Sequence, residues 1–123
     1  QYLLDTLESL DFPYADDRHL FVLRDTSNKE LIQEEIRNDF DVIVMLGDNL
    51  NDFSRKYYVS SIDERNSLTE QDSEKYGVEF ILFPNPTDGH WIRAIFGESE
   101  PASSTSNKIK FQEAATASAW KKK

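Results

Sequence analysis

The 123-residue sequence contains no cysteine. That excludes disulfides and thiolate-held metals but says little about compartment. No apolar stretch approaches the ~18 residues that a membrane-crossing helix needs. The opening residues, Gln1-Tyr-Leu-Leu, lack the basic start and long apolar core of a secretory leader, which is uninformative in a piece of a longer protein. Basic residues are scarce: 14 Lys and Arg against 23 Asp and Glu leave a net charge of −9. The imbalance is uneven. From Asn107 onward five Lys accompany one Glu, a local +4 that leaves −13 on the preceding 106 residues. So acidic a body argues against nucleic-acid binding, which needs a basic face. Lys121 to Lys123 read as a solvated helix end, where cations suit the helix dipole, or as an interaction tail. There is no internal repeat.

What is present fits one wet-surfaced domain, with 38% hydrophobic and 30% charged residues. Leu3, Leu4, Leu7 and Leu10 form a helical stripe over Tyr2 to Leu10, closed by Asp11-Phe-Pro13. Leu20 to Leu23 reads as a short strand, and Ser27 or Asn28 as the cap of a helix through Leu31, Ile32 and Ile36. Val42 to Leu46 is the next strand. Ile62 to Tyr76 is charged and helical, ended by Gly77, and Val78 to Phe83 is a last strand stopped by Pro84 and Pro86. Glu98 to Asn107, rich in Ser, reads as a surface loop, and Ile109 to Trp120 as a closing helix. This alternation predicts a parallel α/β fold.

The chemistry concentrates in Ile43-Val-Met-Leu-Gly-Asp-Asn-Leu-Asn-Asp-Phe53. A buried parallel strand reads as an unbroken apolar run, and ligands gather beyond the carboxyl ends of such strands. Here the run ends at Gly47, which lets backbone approach a ligand, and two carboxylates follow, Asp48 and Asp52. A helix starting near Asp48 would put both on one face of its first turn. Two hard oxygen donors suit magnesium, which takes one or two carboxylates and fills its octahedron with water and phosphate. The same residues also serve as ordinary N-caps and first-turn acids, and spacing alone does not separate the two uses.

The string as a whole does. An apolar strand followed by Gly47, Asp48, Asn49, Leu50, Asp52 and Phe53 resembles the second half of the bipartite signature of class C (lipoprotein e(P4)-type) acid phosphatases, within the haloacid dehalogenase superfamily. Upstream, Leu23-Arg-Asp-Thr-Ser-Asn-Lys-Glu30 is similar to the family's third motif, with Lys29 as its lysine. Downstream, Phe80-Ile-Leu-Phe-Pro-Asn-Pro86, Gly89 and Trp91 are similar to its last strand and following loop, and the closing helix also fits. The resemblance covers nearly all of the chain but only the back half of the family's full-length enzyme.

It implies a haloacid dehalogenase-like Rossmannoid parallel sheet and magnesium-dependent hydrolysis of phosphomonoesters through an aspartyl-phosphate. Asp48 becomes the direct magnesium ligand. Lys29 and Asp52 join the catalytic machinery, Lys29 neutralising phosphoryl oxygens and Asp52 bonding a metal-bound water or Lys29. Asn49 and His90 become substrate contacts, although a single His without a partner motif is more often structural. The resemblance implies a nucleotidase-like phosphatase; Asp88 departs from its pattern, standing where relatives can carry an aromatic that stacks on a nucleobase, which an aspartate cannot do. Tyr57 and Tyr58 read as packing residues or, alternatively, as lining of the pocket, and Trp91 as a packing residue.

The family's nucleophile is the first Asp of an Asp-x-Asp-x-Thr motif, absent from these 123 residues; Asp39-Phe-Asp41 precedes a strand and is completed wrongly by Val42-Ile43. The expectation is therefore the C-terminal portion of one phosphatase domain (1–123), with 54–77 contributing to a cap or insert, 98–107 a surface loop and 109–123 a C-terminal helix. The chain alone would be inactive and would show a partner segment or a void where the nucleophile strand belongs. Expected partners are a phosphomonoester and the N-terminal fragment of the same protein, in an assembly compatible with a homodimer. The resemblance implies an extracytoplasmic location, secreted or as a lipoprotein. The alternative is a non-catalytic binding or storage module on the same fold.

Overall fold

The computed structural model describes residues 2–117. Helices α1 (Tyr2–Ser9) and α2 (Glu30–Asp39) precede strand β1 (Met45–Gly47). Two single 3-10 turns follow, Leu50–Asp52 and Arg55–Tyr57, then α3 (Ile62–Gln71), β2 (Phe80–Leu82), α4 (Trp91–Phe96) and α5 (Thr105–Thr116). The strands are parallel, with Met45 opposite Phe80 and Gly47 opposite Leu82. The result is a mixed helical fold with a small parallel sheet, an α/β arrangement.

The strands are shorter than the apolar runs suggested, because a strand lasts only as long as its ladder. Val78, Glu79 and Phe80 all donate N–H to Lys75 O, so the chain is still turning until β2 begins at Phe80. Gly77 holds that turn at φ +82°, a conformation glycine adopts without cost. Leu20 to Leu23 finds no ladder partner among the described residues and is not a strand. α2 begins after Lys29, one residue later than expected, with Asn28 Oδ1 accepting from Glu30 N at 3.3 Å. The charged helix stops at Gln71 instead of Tyr76, with Asp72 as its C-cap and the Asp72 side chain buried. α4 was not foreseen. Ser104 caps α5 through Asn107 N, so the closing helix starts inside the expected loop. The expected helix residues from 118 on, with Trp120 and the Lys121–Lys123 tail, lie outside the described residues.

One small core organises this framework. Leu50, Phe53, Tyr57 and Phe80 are buried together, with Met45, Leu68 and Tyr76 packed against them. Phe53 stacks on Phe80 with centroids 4.7 Å apart, and Tyr76 meets both rings edge-on. Burying each such side chain is worth about 1.5–3 kcal/mol. This cluster sits beneath the first 3-10 turn and fixes where Asp52 emerges. By contrast α1, α2 and α5 bury no residue. Among the described residues β1 pairs only with β2. A cleft of about 680 Å³ lies between α2 and β1, lined in part by Ile36, Val42, Met45, Leu46 and Phe83. No helix in the described residues is long and apolar enough to cross a membrane.

Candidate active site

Where β1 ends the chain folds back on itself. Asp52 Oδ2 accepts from the backbone N–H of Asp48 at 3.1 Å and of Asn49 at 3.0 Å, satisfying donors that the start of a helical turn leaves open. Its other oxygen, Oδ1, receives Lys29 Nζ at 2.6 Å. A Cβ on Gly47 would stand 2.5 Å from Asp52 Cβ, so glycine is required here. The close approach it permits in this structure is that of the Asp52 side chain. Gln33 donates to Asp52 O, and Glu30 accepts from Arg55 N at 3.4 Å. These polar contacts bring the start of α2 to the turn after β1.

Lys29, Asp48 and Asp52 thus share one wall of the cleft. An ammonium has three donors, and Asp52 takes one of those on Lys29, leaving two. The Asp48 carboxylate is exposed and meets no side-chain or backbone partner among the described residues. No cluster of three metal-ligating side chains occurs among those residues. One unpartnered carboxylate at a strand end still fits magnesium, which takes few protein ligands and keeps several waters. Asp52 suits a direct metal contact less than Asp48, because Lys29 and two N–H groups take three of its four acceptor positions.

The structure does not place Asn49 and His90 on that wall. Asn49 is buried; its Oδ1 accepts from Arg65 Nη2 at 3.3 Å, and Gly89 packs directly against its Nδ2. His90 sits edge-on to Tyr58 with centroids 4.9 Å apart. Burial, then the nearby Arg65 and Arg55 charges, disfavours its imidazolium and lowers its pKa.

Two supporting groups were not anticipated. Arg65 is a buried cation held by Tyr57 O at 2.8 Å and by the side chains of Asn49 and Asn51. Burial lowers its pKa. Nothing in the charged pattern of α3 marks it apart from its neighbours. Asp72, also buried, binds Lys56, Lys75 and the hydroxyl of the fully buried Tyr57. The Lys56 contact first, then the Tyr57 hydroxyl, holds its carboxyl at a pKa of about 2. Burial, followed by the Asp72 bond, raises the Tyr57 pKa.

No protein-family model matches the chain. Two solved structures do, both of the class C acid phosphatase from Bacillus anthracis, one of them with tungstate bound. Each is 28% identical and covers 94% of this chain, with TM-scores of 0.76 and 0.77. This chain spans 48% of each, about half their length. By its strand-end motif and by a structural match along nearly all of its length, the chain resembles the class C acid phosphatases of the haloacid dehalogenase superfamily, in an extent consistent with their C-terminal half alone.

Proposed function

We propose that this chain forms the phosphate- and metal-facing wall of a magnesium-dependent acid phosphatase that hydrolyses phosphomonoesters through an aspartyl-phosphate. The observation that carries the reading is the Lys29–Asp52 contact of 2.6 Å beside the unpartnered Asp48, all at the carboxyl end of β1. Asp52 restrains the Lys29 ammonium. The two remaining Lys29 donors are then available to phosphoryl oxygens and to an attacking carboxylate, positioned charge where negative charge accumulates. Asp48 would hold magnesium, which when bound supplies further neutralisation of phosphoryl charge. The tungstate in one matching structure is an oxyanion in an enzyme of this class.

The attacking carboxylate belongs to polypeptide outside these 123 residues, which contain no Asp-x-Asp-x-Thr. The cleft between α2 and β1 has room for a strand that would pair with the free edge of β1 and complete a Rossmannoid sheet. It would cover Val42, Val44 and Leu46, which are now exposed. Without it, residues 1–123 should not turn over.

Asp48→Asn in the complete protein tests the reading. Phosphatase activity should fall at least about a thousandfold, as for removal of a metal's charge stabilisation. Magnesium binding by calorimetry should weaken in parallel. Unchanged turnover and unchanged magnesium affinity would remove Asp48 from the metal site.

A further inference from the structure

A second group of charges lies on the same end of the sheet. The Arg55 guanidinium carbon stands over the Tyr58 ring, 4.6 Å from its centroid, and that of Arg93 at 4.7 Å from the same centroid. His90 meets this ring at its edge. Behind them is buried Arg65. Among the described residues none of these three arginines forms an ion pair, in a chain with 23 acids to 14 bases. Arg93 Nε is enclosed and has no hydrogen-bond partner among the described residues. The acids that act on His90 are Asp52 and Asp88, and both are engaged elsewhere. Asp52 holds Lys29, and Asp88 Oδ1 accepts from Gly89 N at 2.6 Å.

Arg55 and Tyr58 follow β1, while His90 and Arg93 follow β2. Because the strands are parallel, both segments leave at the carboxyl end, where open α/β sheets take their ligands. Asn49 joins this group to the Lys29–Asp52 pair, since its N–H bonds Asp52 and its side chain abuts Gly89. Guanidiniums stacked on a ring keep their in-plane N–H donors free for oxyanions. Two such cations beside one ring repel each other, and a bound anion relieves that repulsion.

We propose that Arg55 and Arg93, carried on Tyr58 and flanked by His90, form an anion subsite that selects phosphomonoesters whose leaving group bears a second oxyanion, a carboxylate or another phosphate. The proposal rests on the phosphatase reading and names its substrate class.

Matched substrates test it with the complete protein. kcat/KM for 3-phosphoglycerate should exceed that for glycerol 3-phosphate by about tenfold, carried by KM, as expected of a charge-assisted contact. Fructose 1,6-bisphosphate against fructose 6-phosphate reports the phosphate arm. Arg55→Gln, at an exposed position safe for folding, and Arg93→Gln should each bring the preferred ratio toward one. Equal rates within both pairs, or a preference untouched by both variants, would overturn the subsite. Calorimetric binding of the same ligands separates the two readings. A retained binding preference without turnover of any ester counts against the phosphatase reading, whereas turnover without preference counts against the subsite alone.

Discussion

Residues 49–94 and the residues before them handle apolar side chains in opposite ways. Every buried side chain among the described residues, from Asn49 and Leu50 to Phe80 and Ala94, falls in the first group. Residues 2–48 bury none, though they carry Leu3, Leu10, Phe12, Val22 and Leu31. The difference is one of closure. Phe53 and Phe80 stack face to face within the segment, and the one strand it borrows, β1, comes from the residues immediately before it. α2 has an apolar stripe but rests beside a cleft. The candidate site straddles this divide, taking Asp52 from the packed side and Lys29 from the open one. Cohesion thus comes from one region, and the electrostatics of the site from both.

The largest effect that would sharpen this comparison is at Phe53, which is 3% exposed. Phe53→Ala should destabilise the complete protein by about 4 kcal/mol in chemical denaturation, the usual cost of emptying an aromatic core position. Leu31→Ala, at a side chain 57% exposed here, should stay within about 0.5 kcal/mol. A comparable loss at Leu31 would place that side chain beneath further polypeptide and dissolve the contrast.

Lys29 should behave in the opposite sense to Phe53. Lys29→Met should lower kcat about 10²-fold, as for loss of one preorganised donor. Stability should change by less than ~1 kcal/mol, because the pair is largely open to solvent on the lysine side. Normal kinetics in this variant would reduce Ser27-Asn28-Lys29 to the start of α2.

The smallest effect concerns pH and belongs to the packed region. Asp72 titrates at about 2 in the folded chain against an ordinary value of 3.8. A depressed carboxyl stabilises the fold above its unfolded value and loses that contribution as pH falls through its folded one. Thermal unfolding of wild type and Asp72→Asn should therefore differ at neutral pH, with the gap closing as pH drops from 3.8 toward about 2. A gap that is constant over that range would assign the effect of Asp72 to its shape, not its charge.

Some of this was legible in the residues and some was not. The run ending at Gly47 did mark a strand end with acids beyond it, because apolar continuity and a glycine before Asp48 are local signals. The run overstated the strand, since Val42 to Val44 have no ladder partner among the described residues. Leu20 to Leu23 failed for the same reason. Arg65, Gln33 and the Asp72 network left no local trace. Apart from Lys75, three residues from Asp72, their partners lie 8 to 19 residues away, and a charged residue on a charged helix looks the same whether it points inward or outward. Tyr58 read as a packing residue or as lining of the pocket, and only the structure sets Arg55 and Arg93 over its ring.

By itself the sequence determined the acidic body, the absence of thiolate chemistry, the strand-end motif with its two carboxylates and the absence of Asp-x-Asp-x-Thr within these 123 residues. Those are matters of residue type and local order. The family resemblance offered Asp52 either a metal-bound water or Lys29, and only the tertiary structure decided for Lys29, 23 residues away, while Asp48 stays free. Gly47 is adjacent to both possibilities and distinguishes neither until the backbone folds and leaves room for just one side chain against it. Which carboxylate becomes a clamp and which remains open to a cation is set by that packing, a long-range contact that no local pattern encodes.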